Sequence, residues 1–428
     1  MKNEDIINFV EKNAVFPKTN FVPGITQVKI SGKVYDKNEL VEGIKSVIQG
    51  WWTEGDYNKK FIEKFSLFLG VKYVLPVNSG SSANLLAFAA LTSPLLKERM
   101  IKKGDEIITT AACFPTTVNP ILSYGCVPVF VDVDLNTHNI NPDLIENAIS
   151  EKTKAIFLAH TLGNPINLSK IQKICKEHNL WLIEDCCDAL GSEYTDKKVG
   201  TFGDIATFSF YPAHHITAGE GGAVVTNNSL LNKIIKSIRD WGRDCYCETG
   251  HDNTCKRRFS QQHGDLPYGY DHKYVYSHIG YNLKWTDFQA SIAYSQMDKL
   301  PFFIEKRKEN FNLLYQGLKK FEKYLILPKP ESKSNPSWFG FLITVKEPIK
   351  RNDLIKYLED NKISTRLLFA GNITKQPYFK NLNYKISGDL KNTDIVMNSS
   401  FWIGVYPGIT NEMINYVLSK FEEFFKRY

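Results

Sequence analysis

The sequence predicts an α/β protein: a mostly parallel central sheet with helices on both faces, plus a smaller C-terminal α/β domain. From Lys72 onward, short apolar runs alternate with helical stretches, which is typical of parallel sheets built from strand–helix units. The 428 residues are enough for a large domain with a smaller one attached. Beyond the alternating region, a strand-like run at Gly340–Val345 and an amphipathic stretch at Asn411–Tyr428 predict the second domain.

Each strand of the central sheet is predicted from a short apolar run. The predicted strands are Tyr73–Val77, Glu106–Thr110, Val127–Val131, Ala155–Ala159, Leu180–Ile183, Asp204–Phe208 and Ala223–Thr226. The predicted helices are Ser82–Leu91, Pro142–Ile149, Leu168–His178 and a helix that begins near Asp287. We expect an N-terminal arm (1–45), a large domain (46–290) with a cysteine-rich loop at 242–256, and a small domain (291–428).

Composition and charge argue against several classes of function. Hydrophobic and charged residues make up 43% and 23% of the chain, as in ordinary soluble proteins. The net charge of +7, without a Lys/Arg run, fits an anionic small substrate and argues against nucleic acid. No apolar run approaches the ~18 residues of a membrane span, and Met1–Phe16 lacks the apolar core of a signal peptide. Eight cysteines without an export signal predict a reducing cytoplasm.

The residues that follow each strand are candidate site residues, because ligands of such sheets bind at the carboxyl ends of the strands. Asn78–Asn84 opens a helix after the first strand and predicts either an ordinary N-cap or an anion site. Asp185 could pair with a protonated heterocyclic nitrogen, although a helix cap is the commoner role for such a carboxylate. Phe114 could stack on a planar cofactor, although a place in the core is the commoner role for such a ring.

The chain is organised around the stretch from Ser209 to Gly222, which lies between two predicted strands and reads Ser-Phe-Tyr-Pro-Ala-His-His-Ile-Thr-Ala-Gly-Glu-Gly-Gly. A serine leaves the first strand, and a Gly-rich bend returns the chain to the sheet. Imidazole can take and return a proton near neutral pH. His214 and His215 are therefore both candidate bases.

Taken together, these pieces resemble fold-type I pyridoxal-phosphate enzymes of the sugar-aminotransferase branch. The motifs agree in order and spacing; they are Ser79–Ser82, Val131–Asp134, Glu184-Asp185 followed by Ala189–Gly191, Ser209-Phe210, Gly219–Gly222 and Gly280–Lys284. The resemblance implies six cofactor-binding residues: Gly80, Ser81, Phe114, Asp185, Ser209 and Asn282. Ser81 and Ser209 would hold the phosphate, Asp185 would pair with the pyridine nitrogen, and Phe114 would stack on the ring. Asn282 would reach the phosphate of the neighbouring subunit in a homodimer.

The sequence departs from the aminotransferases at His214, which takes the place of the lysine that holds the cofactor as a Schiff base. Without that amine the cofactor would be bound non-covalently, most usefully as pyridoxamine phosphate. Pyridoxamine phosphate could condense with a sugar ketone, and His214 could then remove a proton from its 4′ carbon so that a hydroxyl group is expelled. The resemblance therefore implies a dehydration with His214 as the base and His215 as its rival. The alternative is a degraded aminotransferase with a structural histidine.

Four cysteines predict a metal site. Cys187 and Cys245 are separated by 57 residues, Cys245 and Cys247 by one, and Cys247 and Cys255 by seven. Thiolates suit both zinc and iron–sulfur clusters, so spacing alone leaves both open. The set resembles the [2Fe–2S] ligands of the CDP-4-keto-6-deoxy-D-glucose 3-dehydrase family, which also has the Ser-Phe-Tyr-Pro-Ala-His-His-Ile-Thr stretch. The other cysteines are expected to be buried thiols; they are Cys113, Cys126, Cys175 and Cys186.

That second resemblance implies the removal of the 3-hydroxyl group of a CDP-4-keto-6-deoxyhexose, on the way to 3,6-dideoxy sugars of lipopolysaccharide O-antigen. Electrons would come through the cluster from a separate flavin and iron–sulfur reductase that uses NAD(P)H, since no Gly-x-Gly-x-x-Gly follows a strand here. Arg366 is expected to contact the substrate, because a guanidinium suits a diphosphate or a sugar hydroxyl. The alternatives are a cluster-free dehydratase recycled by glutamate and a non-catalytic cofactor- or metal-binding scaffold.

Overall fold

Short buried strands alternate with helices through most of the chain. The computed structural model describes residues 2–16, 20–247 and 249–428. The helices are α1 (Asn3–Asn13), α2 (Lys37–Gln49), α3 (Asp56–Leu69), α4 (Gly80–Ala90), α5 (Pro115–Ser123), α6 (Leu168–Glu177), α7 (Ser229–Arg239), α8 (Asp287–Gln296), α9 (Leu300–Leu318), α10 (Arg351–Asp360), α11 (Lys391–Ser399) and α12 (Asn411–Phe425). None of these described helices is both long and apolar enough to cross a membrane.

The strands are β1 (Tyr73–Val77), β2 (Glu106–Thr109), β3 (Val127–Phe130), β4 (Thr153–Ala159), β5 (Trp181–Asp185), β6 (Glu193–Tyr194), β7 (Lys197–Lys198), β8 (Ile205–Ser209), β9 (Gly222–Thr226), β10 (Leu325–Ile326), β11 (Ser334–Asn335), β12 (Gly340–Val345), β13 (Thr365–Arg366), β14 (Lys385–Ile386) and β15 (Ser400–Gly404). The seven strands predicted for the central sheet are confirmed to within two residues.

Eight strands form the central sheet, in the order β1-β9-β8-β5-β4-β2-β3-β14. Neighbouring strands from β8 to β14 are parallel, whereas β9 pairs antiparallel with both β1 and β8. Every residue of β2, β5, β8 and β9 is buried, as expected of strands covered on both faces. The structure therefore confirms the predicted fold class.

One predicted helix is wrong. The segment Pro142–Ile149 forms two 3-10 turns, Pro142–Leu144 and Glu146–Ala148. The side chain of Asn141 caps the first turn by accepting a hydrogen bond from the backbone N–H of Asp143. A segment this short makes too few intrahelical hydrogen bonds to offset the cost of nucleating an α-helix.

Two apolar cores pack against the central sheet. One contains aromatic rings in mutual contact: Phe61, Phe65, Phe208, Phe210 and Trp285. The other packs α4 and α7 against the sheet and includes Leu86, Phe88, Ile234, Phe157 and Trp181. Burial of this kind stabilises a fold by about 25 cal/mol per Å² of apolar surface, so the strand ends that carry the candidate site residues are rigidly held.

A second sheet, in the order β10-β12-β15-β13, forms the C-terminal unit with its own apolar core. Val28, from the arm, belongs to that core, and its N–H donates to the carbonyl of Lys362. Conversely, β14, which belongs to the C-terminal part of the chain, pairs with β3 of the central sheet. Contacts therefore cross residues 45 and 290, and the three-part division of the chain stays a prediction.

Candidate active site

Predicted site residues gather where the strands of the central sheet end. β5 and β8 are parallel neighbours, with Asp185 opposite Thr207, so Asp185 and Ser209 lie at the same edge of the sheet. Gly80 begins α4, and two residues separate it from the end of β1. The carboxyl ends of strands form the usual ligand crevice of such sheets, and this edge is the candidate site.

The backbone of Gly80 lies against Ser209. A Cβ atom on Gly80 would be 2.5 Å from the Cβ and 2.8 Å from the Oγ of Ser209, and 3.1 Å from the Sγ of Cys187. Ser79 caps the helix, because its Oγ accepts a hydrogen bond from the N–H of Ser82 at 3.0 Å, and Ser81 is exposed in the first turn. The segment is an N-cap whose first N–H groups are open to an anion.

Asp185 is a buried carboxylate with three hydrogen bonds. Its Oδ2 accepts from Asn84 Nδ2 at 2.8 Å and from Thr117 Oγ1 at 2.9 Å, and its Oδ1 accepts from the N–H of Cys187 at 3.1 Å. The next described helix after Asp185 is α7, which begins at Ser229. The helix-cap interpretation is therefore wrong, and the side chain is held in place at the strand end.

Phe114 is 50% exposed, so the interpretation of its ring as part of the core is wrong. The residue is the N-cap of α5, and its ring makes an edge contact with Phe369, with the centroids 6.0 Å apart. Phe369 has a positive φ of 43°, which is uncommon for a bulky residue. The ring of Phe114 is thus supported on one side and open on the other.

His214 lies in the turn after β8, between a carboxyl group and an aromatic ring. Its Nδ1 is 3.5 Å from Asp188 Oδ1, and its ring centroid is 5.1 Å from that of Phe339. Burial and the positive charge of Arg307 lower the pKa of His214 to about 3, while a hydrogen bond to the backbone of Cys187 opposes that shift. The imidazole is therefore neutral at pH 7, and one of its ring nitrogens is a hydrogen-bond acceptor.

The carboxyl group beside that imidazole is also neutral. Burial, reinforced by the negative charge of Asp185, raises the pKa of Asp188 to about 8, although Arg307 and a backbone hydrogen bond act in the opposite direction. Asp188 and His214 thus form a neutral pair at pH 7 and not an ion pair. In such a neutral pair the carboxylic acid is a proton donor and the imidazole offers one hydrogen-bond acceptor.

His215 is turned away from this pair. It is 2% exposed, and its Nε2 is 2.9 Å from the carbonyl oxygen of Ser337. Burial lowers its pKa well below the usual value. The geometry therefore favours His214 over His215 as the residue that can meet a ligand.

Arg307, which the sequence did not single out, lies beneath the loop that carries His214. It is 1% exposed on α9, and its guanidinium donates to the carbonyl oxygens of His214, Trp338 and Phe339 at 3.2–3.3 Å. Burial lowers the pKa of Arg307 to about 9, and the nearby Asp188 opposes that shift. No local motif marks this arginine, because its partners lie far from it along the chain.

Three of the four predicted metal ligands share a cavity of 280 Å³. Cys245, Cys247 and Cys255 all line it. Although burial raises the pKa of Cys247, hydrogen bonds from Thr254, Cys255 and Cys245 lower it to about 6. The thiolate is the form that binds metals, but these three thiols are not among the described ligand groups whose atoms lie within 4.8 Å of one another. The metal site at this loop therefore stays a prediction.

Cys187 lies apart from that cavity, beside Gly80 and Ser209. Burial, with the negative charge of Asp185, raises its pKa well above the usual value. The structure thus brings together three of the predicted cysteines and places the fourth at the cofactor edge. The four cysteines that were predicted to be ordinary thiols are all buried, which confirms that expectation.

A different group has the compactness of a metal site: the ligand atoms of His160, Glu184 and Cys186 lie within 4.8 Å of one another. The Nδ1 of His160 accepts from the N–H of Ile166, so its Nε2 donates to Glu184 at 3.2 Å. Glu184 also accepts from three backbone N–H groups, those of Gly200, Phe202 and Gly203. These hydrogen bonds satisfy the group internally, and its role is structural.

The two remaining predicted residues are exposed. Asn282 forms a backbone bridge with Asp240. Arg366 lies on β13 and donates to the carbonyl of Thr365. Their proposed contacts, with a neighbouring subunit and with a substrate, stay predictions.

Known proteins share this architecture over nearly the whole chain. The profile of the DegT/DnrJ/EryC1/StrS aminotransferase family matches residues 34–422. Among solved structures, E. coli GDP-4-keto-6-deoxy-D-mannose-3-dehydratase with bound hydrated PLP superposes with a TM-score of 0.83 at 29% identity. That match covers 92% of this chain and 99% of the other.

Curated relatives are more similar in sequence. The chain is 58% identical to the lipopolysaccharide biosynthesis protein RfbH of Salmonella typhimurium, over 96% of this chain and 94% of the relative. It is 51% identical to the dTDP-4-dehydro-2,6-dideoxy-D-glucose 3-dehydratase of Saccharopolyspora spinosa, over 94% and 88%. The chain therefore belongs to the DegT/DnrJ/EryC1/StrS aminotransferase family.

Proposed function

We propose that this chain is a pyridoxamine- or pyridoxal-phosphate-dependent dehydratase that removes the 3-hydroxyl group of a nucleotide-linked 4-keto-6-deoxyhexose. One observation carries the proposal. His214, which stands in place of a lysine, lies beside Asp188 at the edge of the sheet where β5 and β8 end. Relatives at 51% and 33% identity are named as 3-dehydratases of such sugars. A base without an amine suits dehydration, because it can move a proton but cannot hold the cofactor covalently.

The residues present fit the cofactor. Gly80 lies so close to Ser209 that a Cβ atom would clash. Because glycine has no side chain, the first turn of α4 would have room for a phosphate. Asp185 is fixed by Asn84 and Thr117, so it could keep a pyridine nitrogen protonated. The half-exposed ring of Phe114 could stack on a planar ring.

The cofactor, when bound, supplies an amine for the sugar ketone and a ring that accepts electrons. His214 is neutral and would take the proton from the 4′ carbon and deliver it to the departing hydroxyl group. Asp188 would hold the imidazole once a hydrogen bond forms between its carboxyl oxygen and Nδ1, which lie 3.5 Å apart. Phe339 packs against that imidazole, with the ring centroids 5.1 Å apart.

The finer proposal is a CDP-linked substrate, a [2Fe–2S] cluster, and a separate flavin and iron–sulfur reductase. Cys245, Cys247 and Cys255 line one cavity, and with Cys187 they would supply four thiolates, the usual ligand set of such a cluster. All eight cysteines are unpaired, which supports a reducing cytoplasm. We further propose a homodimer, with Asn282 reaching the partner's cofactor, and a role in lipopolysaccharide O-antigen synthesis, as the name of the 58% identical relative suggests.

A specific observation also favours a second candidate, the cluster-free dehydratase recycled by glutamate. A solved structural relative at 30% identity, with a TM-score of 0.82, is a GDP-4-keto-6-deoxymannose-3-dehydratase with a trapped PLP-glutamate geminal diamine. In addition, Cys187 is not among the residues that line the cavity of the other three cysteines.

Anaerobic purification followed by iron and sulfide counts separates the two candidates. About two irons and two sulfides per chain would support the reductive enzyme, since that is the stoichiometry of this cluster. Turnover of a nucleotide 4-keto-6-deoxyhexose with glutamate alone, by protein that holds no iron after reconstitution, would establish the second candidate. Comparing CDP-, dTDP- and GDP-linked sugars would fix the nucleotide. If pyridoxamine phosphate binds but none of these sugars is dehydrated under either regime, the chain is a scaffold.

A further inference from the structure

Arg307 is a buried cation without a buried counter-ion in direct contact. It is 1% exposed, and no carboxylate of the described residues lies within salt-bridge distance of its guanidinium. Arginine is almost never fully buried unless it is paired. The energetic cost of burying it indicates that its position serves something other than stability.

Its hydrogen bonds join two segments that meet at the candidate base. One N–H group donates to the carbonyl of His214 at 3.2 Å, and another serves the carbonyls of Trp338 and Phe339 at 3.2 and 3.3 Å. The first segment is the turn after β8, and the second leads into β12. One rigid planar fork therefore fixes the distance between the turn and the segment.

The same two segments meet at two further contacts. The imidazole of His215 reaches the carbonyl of Ser337 at 2.9 Å, and the rings of His214 and Phe339 are 5.1 Å apart. The segment is itself anchored, because the N–H of Phe339 donates to the carbonyl of Leu162 at 2.8 Å. The imidazole of His214 is consequently placed between Asp188 on one side and Phe339 on the other.

We propose that Arg307 is a positioning residue for the base: by holding the carbonyls of His214 and Phe339 together, it sets the place of the His214 imidazole relative to the bound reactant. This inference rests on the proposed function, in which His214 moves the proton. A lysine could not replace the arginine, because an ammonium group lacks the rigid planar set of donors with which the guanidinium reaches both segments at once. A misplacement of about 1 Å of a catalytic group can cost about 100-fold in rate.

The test uses the full-length protein with Arg307→Lys and Arg307→Met, and with Lys308→Met as the control from the same helix, where Lys308 pairs with Glu305. Hydrogen–deuterium exchange of residues 210–217 needs no turnover. Loss of one hydrogen bond, worth about 1 kcal/mol, should speed exchange there by roughly five- to tenfold in both Arg307 variants, and not in the control.

Turnover supplies the second readout. In Arg307→Met we expect kcat to fall about 100-fold, KM to change little, and the primary isotope effect from pyridoxamine phosphate deuterated at its 4′ carbon to rise, because proton removal becomes rate-limiting. A merely structural arginine would reduce the active fraction and leave the isotope effect at its wild-type value. That result, or unchanged exchange in residues 210–217, would overturn the proposal.

If Arg307→Met does not fold, Arg307→Lys and Phe339→Leu take its place. Phe339→Leu removes the aromatic ring that packs against the His214 imidazole and keeps the backbone carbonyl that accepts from the guanidinium. A wild-type protein that dehydrates no nucleotide sugar would reject the proposed function and leave the exchange measurement to decide the role of Arg307. If the wild-type protein is inactive but residues 210–217 exchange faster in the Arg307 variants, the result would support the anchoring of this turn by Arg307 and not a role in proton transfer.

Discussion

Gly80 and Ser209 approach so closely that a methyl group cannot be added between them: a Cβ on Gly80 would lie 2.5 Å from the Cβ of Ser209. Real Cβ contacts of that length do not occur, so either α4 or β8 would have to move. The absence of a side chain on Gly80 thus allows the first turn of α4 to contact the end of β8, which is far from it in sequence.

Gly80→Ala should weaken pyridoxamine phosphate binding strongly, because the first turn of α4 would be pushed away from Ser209. We expect affinity to fall by about 100-fold or more, in line with the ~3 kcal/mol that overpacking costs. Fluorescence titration of the cofactor measures this. Ser81→Ala is the control, since it removes an exposed hydroxyl without a clash and should cost about tenfold or less. Equal losses in the two variants would contradict the steric explanation.

His214→Asn should abolish dehydration while cofactor binding persists. Asparagine keeps polarity and fits the site, but its amide cannot accept a proton near neutral pH, so turnover should fall by at least about 100-fold. Equilibrium dialysis of pyridoxamine phosphate checks that binding is retained. His215→Asn is the matched control, because its imidazole faces the Ser337 carbonyl; a larger loss of rate in that control would assign the base to His215.

Cys247→Ser should lower the iron content of anaerobically purified protein. Its pKa of about 6 makes it the thiolate of the loop at neutral pH, and serine is a far poorer ligand for iron. Cys175→Ser is the control, since Cys175 is buried on α6. We expect iron to fall by half or more relative to wild type in the first variant and to stay level in the second. Equal iron in both would remove Cys247 from the ligand set.

His138 should make stability depend on pH. Burial lowers its pKa to about 4, with Asp134 acting in the opposite direction, whereas the unfolded value is about 6.5. The unfolded chain therefore binds a proton between those values that the folded chain does not, and stability is lost as pH falls from 6.5 toward 4. From pH 7 to pH 5 this group alone should remove about 2 kcal/mol.

His138→Asn tests this dependence by urea unfolding at the two pH values. Asparagine tolerates the left-handed backbone at this position, where φ is +57°. The variant should lose about 2 kcal/mol less than wild type on acidification, whereas His178→Asn, at an exposed helix end, should behave as wild type does. A parallel loss in wild type and His138→Asn would contradict the assigned pKa.

The sequence predicted what is encoded locally. Strands β1 to β5, β8 and β9 are short, mostly apolar and mostly buried, so the apolar runs themselves predict them. The converging strand ends follow from parallel pairing, which is why the positions of Asp185 and Ser209 could be anticipated. The environment of a single side chain could not be predicted in this way, because it depends on which distant residues pack over that side chain. The residues around Phe114 therefore left both a core position and a stacking position open, because nothing in them shows that one face of the ring is exposed.

Arg307, Asp188 and Phe339 were missed for the same physical reason. Arg307 and His214 are 93 residues apart, and nothing in the residues around either one predicts their hydrogen bond. A pair of this kind becomes visible only when α9 and the segment before β12 are placed against the turn after β8. The sequence motif identified the base, and the long-range contacts identify its support.

The bond between Arg307 and His214 also has a consequence for biogenesis. All the residues that would hold the cofactor in this chain, apart from Asn282, precede residue 210, whereas Arg307 and Phe339 lie 93 and 125 positions beyond His214. During synthesis, His214 therefore leaves the ribosome before the arginine that anchors its turn. Catalytic competence therefore reports that the last third of the polypeptide has folded onto the turn that carries His214.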